Sequence, residues 1–255
     1  MAYVVGFAGK GGTGKTSIAA MTVKYLRDEK GGPVLAVDAD SNACLNEALG
    51  LNVHATIGGL REDSLESIRD GGARPGGMTT EQLFDYQVQK SVIEADGFDL
   101  MVMGRPEGPG CYCAANNIIR KYSDILAEDY PFVVIDNEAG MEHLSRRTTH
   151  AVDLLLIVSD PTVKGMQTLK RISNLVDELK LDVKERVFVI NRVDNQREED
   201  IRSYAESIGI TINTLIPQDE NISQFDLKGT PIIKLPKDSP AVNAVYSLLD
   251  GYKIP

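Results

Sequence analysis

Three features of the sequence predict an α/β fold with three layers: a mostly parallel central sheet of seven or eight strands flanked by helices, in one domain spanning residues 1–255. The first is a glycine-rich loop, Gly9-Lys10-Gly11-Gly12-Thr13-Gly14-Lys15-Thr16, set between an apolar run at 3–8 and a helical pattern at 17–30. The second is a series of further apolar runs, at 33–38, 98–103, 132–136, 154–158, 187–191 and 210–217, which read as core strands. The third is helical spacing between them. It is clearest at 163–180, where Met166, Leu169, Ile172, Leu175, Val176 and Leu179 share one face. Strands alternating with helices are the pattern of a parallel sheet.

The glycine loop has the context of a phosphate-binding loop, a strand before it and a helix after it. Ile18, Met21, Thr22, Tyr25 and Leu26 give that helix its apolar face. Glycines let the backbone approach a polyphosphate. Successive N–H groups and the helix N-terminus then face the anion. Lys15 would reach the β- and γ-phosphates of a nucleotide, and the Thr16 hydroxyl would ligate Mg²⁺. Gly9 through Ser17 are thus the expected binding segment of a P-loop NTPase.

The second strand, 33–38, ends in Asp38-Ala39-Asp40-Ser41-Asn42, at the edge where open α/β sheets place their sites. Ser41 and Asn42 are candidate caps of a short helix holding Leu45 and Leu49, and Cys44 on that helix reads as a small buried hydrophobe. Residues 52–80 are glycine-rich and weakly periodic, with a short helix at 61–69 and a flexible loop at 71–77. A helix with Ile118, Ile119, Tyr122, Ile125 and Leu126 inward precedes the strand 132–136. That strand ends in Asp136, the expected water-mediated Mg²⁺ contact. A last helix, 241–249, packs through Val242, Val245, Tyr246 and Leu249 and carries no basic face.

Net charge is −10, from 27 Lys and Arg against 37 Asp and Glu. That balance disfavours non-specific nucleic-acid binding and adhesion to anionic membranes, both of which need a basic face. No apolar run is long enough to span a bilayer. The chain enters a strand at once, so no signal peptide and a cytoplasmic location are expected. The three cysteines are Cys44, Cys111 and Cys113. A structural disulfide is not expected in a reducing compartment. Residues i and i+2 of an extended segment point to one side, so Cys111 and Cys113 could bind one metal ion. Two pairs at a two-fold axis would supply the four ligands that structural zinc takes.

Several of these motifs carry resemblances. Lys10 in the pattern K-G-G-x-G-K-T resembles the deviant Walker A loop of the MinD, ParA and nitrogenase iron-protein superfamily. The resemblance implies an ATPase that forms a nucleotide-dependent homodimer, with Lys10 reaching the partner's nucleotide. The D-x-D after the second strand resembles switch I, which puts Asp38 in the metal shell and Asp40 on the attacking water. Asp136-Asn137-Glu138-Ala139-Gly140 resembles switch II, whose Gly140 N–H would sense the γ-phosphate. Asn191-Arg192 resembles the adenine-recognition position, and Pro217-Gln218-Asp219 the second adenine-contacting segment.

The segment around Cys111 resembles that of nitrogenase iron protein, but residues 136–147 lack the second cluster cysteine. An ATP-gated iron–sulfur electron carrier is therefore one expectation, and a ParA/MinD-type spatial switch another. The combination of deviant loop and C-x-C is similar to the CooC-type maturation ATPases of nickel carbon monoxide dehydrogenase. That likeness implies ATP or ADP, Mg²⁺, and Ni²⁺ (or Zn²⁺ on the same thiolates). It also implies a metal-dependent dimer and carbon monoxide dehydrogenase as client. His54, His143 and His150 show no ligand spacing.

Overall fold

The computed structural model describes residues 2–69, 78–105, 118, 121–122, 125–126, 128–140 and 151–255. Its strands are β1 (Tyr3–Gly9), β2 (Val34–Ala39), β3 (Ile93–Ala95), β4 (Phe98–Val102), β5 (Phe132–Asn137), β6 (Ala151–Ser159), β7 (Asp182–Val193) and β8 (Thr214–Pro217). They form one eight-stranded sheet in the order β3-β4-β2-β5-β1-β6-β7-β8. Every neighbouring pair is parallel except β3 with β4. The helices are α1 (Lys15–Tyr25, extended by a π-helical turn at Leu26–Lys30), α2 (Leu45–Leu49), α3 (Ile57–Arg69), α4 (Thr80–Ser91), α5 (Val163–Glu178), α6 (Glu198–Ser207), α7 (Glu220–Leu227) and α8 (Pro240–Asp250).

Side chains alternate along each strand, so the two faces of the sheet build separate cores. Val5 and Phe7 of β1, Val34 and Ala36 of β2 and Val134 of β5 face one way, against Ile18 and Met21 of α1 and Val242 and Val245 of α8. Their neighbours face the other way. Ala8, Ile157 and Ile190 meet Met166, Leu169 and Ile172 of α5, while Leu35, Val37, Met101 and Ile135 meet Ile57 of α3 and Val88 of α4. The expected three-layer α/β fold is what forms.

Several element bounds differ from expectation. β8 is confined to Thr214–Pro217, because Ile210 and Ile212 are buried beside α6 without joining the sheet. β7 reaches from Asp182 to Val193, its polar first half lying outside the apolar run. α3 begins at Ile57, whose side chain is fully buried, four residues before the first charged turn. Ile125 is 44% exposed, whereas Tyr122 of the same stretch is buried. α4 has no strong apolar periodicity, but its start was readable. Thr79 accepts from the Gln82 N–H while the Gln82 side chain accepts from the Thr79 N–H, the reciprocal T-x-x-Q cap. Among the described residues no helix is long and apolar enough to cross a membrane.

α1 and α8 meet through two tyrosines with opposite polar accounts. The Tyr25 ring packs edge-on against Tyr246 at 5.0 Å, and its hydroxyl donates to Asp250 at 2.7 Å. The Tyr246 hydroxyl is buried and has no hydrogen-bond partner among the described residues. A buried unpaired hydroxyl carries a desolvation penalty, and a paired one contributes net stability. Tyr246→Phe is therefore expected to leave the urea-unfolding free energy unchanged or raise it by up to about 1 kcal/mol. Tyr25→Phe is expected to lower it by about 0.5–1.5 kcal/mol, since it removes a hydrogen bond to the solvent-exposed Asp250 carboxylate. Equal losses in the two variants would contradict this assignment.

Candidate active site

The parallel strands bring the ends of β1, β2, β5, β6 and β7 to one edge, and the glycine loop leaves β1 in the middle of it. Four of the loop's carbonyls, those of Gly9, Lys10, Gly12 and Thr13, are bonded by side chains or by another segment. The Gly9 oxygen accepts from Lys15 Nζ at 3.2 Å and from the Gly140 N–H at 3.2 Å. The Lys10 oxygen accepts from Thr13 Oγ1 at 2.9 Å and from Lys15 Nζ at 3.3 Å. The Thr13 oxygen accepts from Asn191 Nδ2 at 2.9 Å, the Gly12 oxygen from Arg192 Nη1 at 3.1 Å. Two glycines are required by contact. A Cβ on Gly9 would sit 2.2 Å from the Val158 oxygen. One on Gly14, which caps α1 at φ 91°, would sit 2.3 Å from Asn191 Nδ2.

The charged groups lie just beneath. Lys15 is 7% exposed, and burial lowers its pKa against the opposing pull of Asp136 and Asp40. Asp38 and Asp136 are register partners on adjacent strands, and both are buried. Thr16 Oγ1 donates to Asp136 Oδ2 at 2.6 Å, while Asp136 Oδ1 is buried with no partner among the described residues. Burial pushes the Asp136 carboxyl up to about 6, although the Thr16 hydroxyl and Lys15 pull it down. Burial likewise pushes Asp38 up to about 7, with the Leu45 and Asp40 N–H groups pulling down and the Asp136 charge adding to the rise. A hydroxyl and two carboxylates, one of them with an orphaned oxygen, make an all-oxygen donor set, which fits Mg²⁺.

The segments expected as switches lie against the loop. The Asp38 carboxylate accepts from the N–H groups of Leu45 (2.8 Å) and Asp40 (3.1 Å), so it, not Ser41 or Asn42, caps α2. Asp40 accepts from the Asn42 backbone at 2.8 Å. Ser41 Oγ donates to Glu138 at 3.3 Å, joining the segment after β2 to the one after β5. The Gly140 N–H is committed to Gly9 in this conformation and does not face the mouth of the loop. Cys44 is exposed at the N-cap of α2, contrary to the expected buried hydrophobe, because Ala43 turns at φ 50° and leaves it on the rim of a groove. Asn137, whose role the sequence left unread, is buried and donates to the Phe7 oxygen at 2.9 Å. A strand-end amide directly after the Asp136 acid is the signal that could have found it.

Two cavities adjoin the loop and share Ser17, Arg192, Ile222 and Ser223 as walls. The larger, about 820 Å³, runs from Thr16 past Cys44 and Asn46 toward Pro231. The smaller, about 170 Å³, is closed by Met21, Asn191, Pro217, Gln218 and Asp219. The two segments expected around a base therefore converge. Their side chains are partly occupied, however: Asp219 caps α7 through the Asn221 N–H and accepts from Ser239 and from the Ala241 N–H at the start of α8. Lys10 is exposed at the loop's outer edge. Cys111, Cys113, His143 and His150 lie outside the described residues.

Comparison with known proteins agrees with this geometry. The profile of the CobQ/CobB/MinD/ParA nucleotide binding domain matches residues 4–232. An uncharacterized ATP-binding protein of Methanocaldococcus jannaschii is 40% identical over 97% of each chain. The carbon monoxide dehydrogenase accessory protein CooC of Rhodospirillum rubrum is 35% identical over 69% of each. In fold, the chain is similar to the septum site-determining protein MinD of Pyrococcus horikoshii, solved with Mg-ADP. The TM-score is 0.68 at 20% identity, covering 98% of this chain and 96% of that one.

The raised carboxyl groups have a consequence for stability. Asp38 binds its proton more tightly in the folded chain (about 7) than in the unfolded one (3.8), so ionisation opposes folding. In metal-free, nucleotide-free buffer, stability is expected to fall as pH rises from 4 to 7, by at most about 4 kcal/mol from this group. Asp38→Asn should flatten that decline, measured as denaturation midpoints across the range. A wild type that gains stability over the same window would contradict the assignment.

Proposed function

The chain belongs to the CobQ/CobB/MinD/ParA nucleotide-binding family of P-loop ATPases, and on that premise we propose that it is an ATP-hydrolysing metallochaperone acting as a single domain. ATP joins two copies of the chain. The Cys111 and Cys113 thiolates of both copies take up Ni²⁺ as cargo, and hydrolysis frees it for insertion into nickel carbon monoxide dehydrogenase. The observation that carries this reading is Lys10 in the phosphate loop together with Cys111-Tyr112-Cys113 in one chain. The likeness to CooC supports it. Soft thiolates also suit Zn²⁺, which would compete for the same site. The net charge of −10 weighs against a DNA- or membrane-surface role.

Each group has a place in this cycle. Lys15 leaves the Gly9 and Lys10 carbonyls for the β- and γ-phosphates, and the N–H groups from Gly11 to Ser17 hold the remaining charge. Thr16 would hold Mg²⁺ directly, with Asp38 and Asp136 acting through water, and the ion when bound would supply charge neutralisation on the phosphate oxygens. Asp40 orients the attacking water, and Lys10 reaches across to the partner's nucleotide. The Gly140 N–H exchanges its Gly9 partner for the γ-phosphate, which ties the segment after β5 to the nucleotide state. Asn191, Pro217, Gln218 and Asp219 enclose the adenosine, with Arg192 beside the loop at the pocket's edge. Catalysis comes from positioning and charge stabilisation rather than from covalent chemistry.

Three variants test the parts separately. Lys15→Ala is expected to lower ATP turnover by about a hundredfold or more. Lys10→Ala should keep ADP binding and lose ATP-dependent dimerisation on size-exclusion. Cys111→Ala/Cys113→Ala should keep ATP hydrolysis and lose the nickel that elemental analysis finds with the wild-type dimer. Equal nickel content in wild type and the double variant would remove the metallochaperone assignment. An ATP-independent dimer would remove the trans role of Lys10.

A further inference from the structure

The end of β7 breaks a rule of strand geometry. Successive side chains of a strand point to opposite faces, so Asn191 and Arg192 should not serve the same loop. They do. Asn191 Nδ2 donates to the Thr13 oxygen at 2.9 Å and Arg192 Nη1 to the neighbouring Gly12 oxygen at 3.1 Å. The cause lies in the backbone. Arg192 has φ 59°, in the left-handed region that a long side chain rarely adopts. The β7–β8 register shifts between Ile190 and Val193, the mark of a bulge that re-aims a side chain. Asn191 Oδ1 accepts from the Arg192 N–H at 2.9 Å and holds the turned residue in place. A strained non-glycine residue kept by its surroundings points to function.

We infer that Arg192 is a positioning residue for the phosphate loop, acting on polyphosphate binding and not on recognition of the base. This rests on the nucleotide-binding reading and extends it. The guanidinium holds the Gly12 carbonyl away from the mouth of the loop, while Asn191 does the same for Thr13. With those oxygens bonded, the flanking peptide N–H groups are left to face the anion. Arg192 also lines both cavities beside Ser17. Its hydrogen bond to the Gly12 carbonyl is charge-assisted and lies at the solvent-exposed surface. Base selectivity is then left to the walls of the smaller cavity: Met21, Pro217 and Gln218.

Calorimetric titration of wild type, Arg192→Ala and Arg192→Lys separates the two roles. The ligands are ADP, GDP and inorganic tripolyphosphate with Mg²⁺. Arg192→Ala is expected to weaken ADP and tripolyphosphate by the same factor, about tenfold or more, and to leave the ADP-to-GDP ratio unchanged. Arg192→Lys, which keeps a cation within reach of Gly12, should recover part of both losses. The inference is overturned if Arg192→Ala leaves tripolyphosphate affinity intact, or if it changes the ADP-to-GDP ratio. It is equally overturned if the lysine variant is as weak as the alanine variant while melting like wild type. A wild type that binds neither ADP nor tripolyphosphate would instead overturn the nucleotide reading itself.

Discussion

The constraint on which the rest of this structure depends is the pairing of the loop carbonyls with donors from other segments. A backbone can offer a run of N–H groups to an anion only if the oxygens between them are satisfied elsewhere. Here the donors come from four directions: Lys15 from α1, Thr13 from the loop itself, Gly140 from beyond β5, and Asn191 with Arg192 from β7. The loop is therefore not a free glycine turn. It is fixed by elements far apart in sequence, and the parallel sheet exists, for this purpose, to bring them to one edge.

Charge follows from the same arrangement. Packing β1 between β5 and β6 places Asp136 in the interior beneath Thr16, and the β2–β5 register sets Asp38 beside it. Burial raises the proton affinity of both carboxyls; the Asp136 charge adds to the rise at Asp38 and the Asp40 charge to that at Asp136, where Lys15 offsets it in part. One oxygen of Asp136 is left with no partner among the described residues. The segments after β2 and β5 touch beside it through Ser41 and Glu138.

The loop, the strand-end acids and the apolar runs were legible because each is a local pattern: glycines at fixed spacing, an aspartate closing an apolar strand, a helix face repeating every three to four residues. What stayed illegible depended on contacts between distant segments. Cys44 read as a buried hydrophobe because a free cysteine on a helix usually packs as a small apolar group, yet the turn at Ala43 leaves it exposed on the rim of a groove. Ile210 and Ile212 read as strand because they are apolar and β-branched, but they pack beside α6 without pairing. The cap of α2 came from Asp38, seven residues before Leu45, and not from the adjacent Ser41 or Asn42.

By itself, the sequence determined the fold class, the phosphate loop with Lys15 and Thr16, and the acids at the ends of β2 and β5. These follow from hydrophobic periodicity and from the narrow choice of residues that can border an anion. The tertiary structure decided which carbonyls of the loop are held and by whom. It turned Arg192 against the alternation of its strand, committed the Gly140 N–H to Gly9, and left one carboxylate oxygen of Asp136 unpaired. The physical reason is that a hydrogen bond between residues more than a hundred positions apart leaves no mark in local spacing. It exists only once the sheet has set the strands side by side.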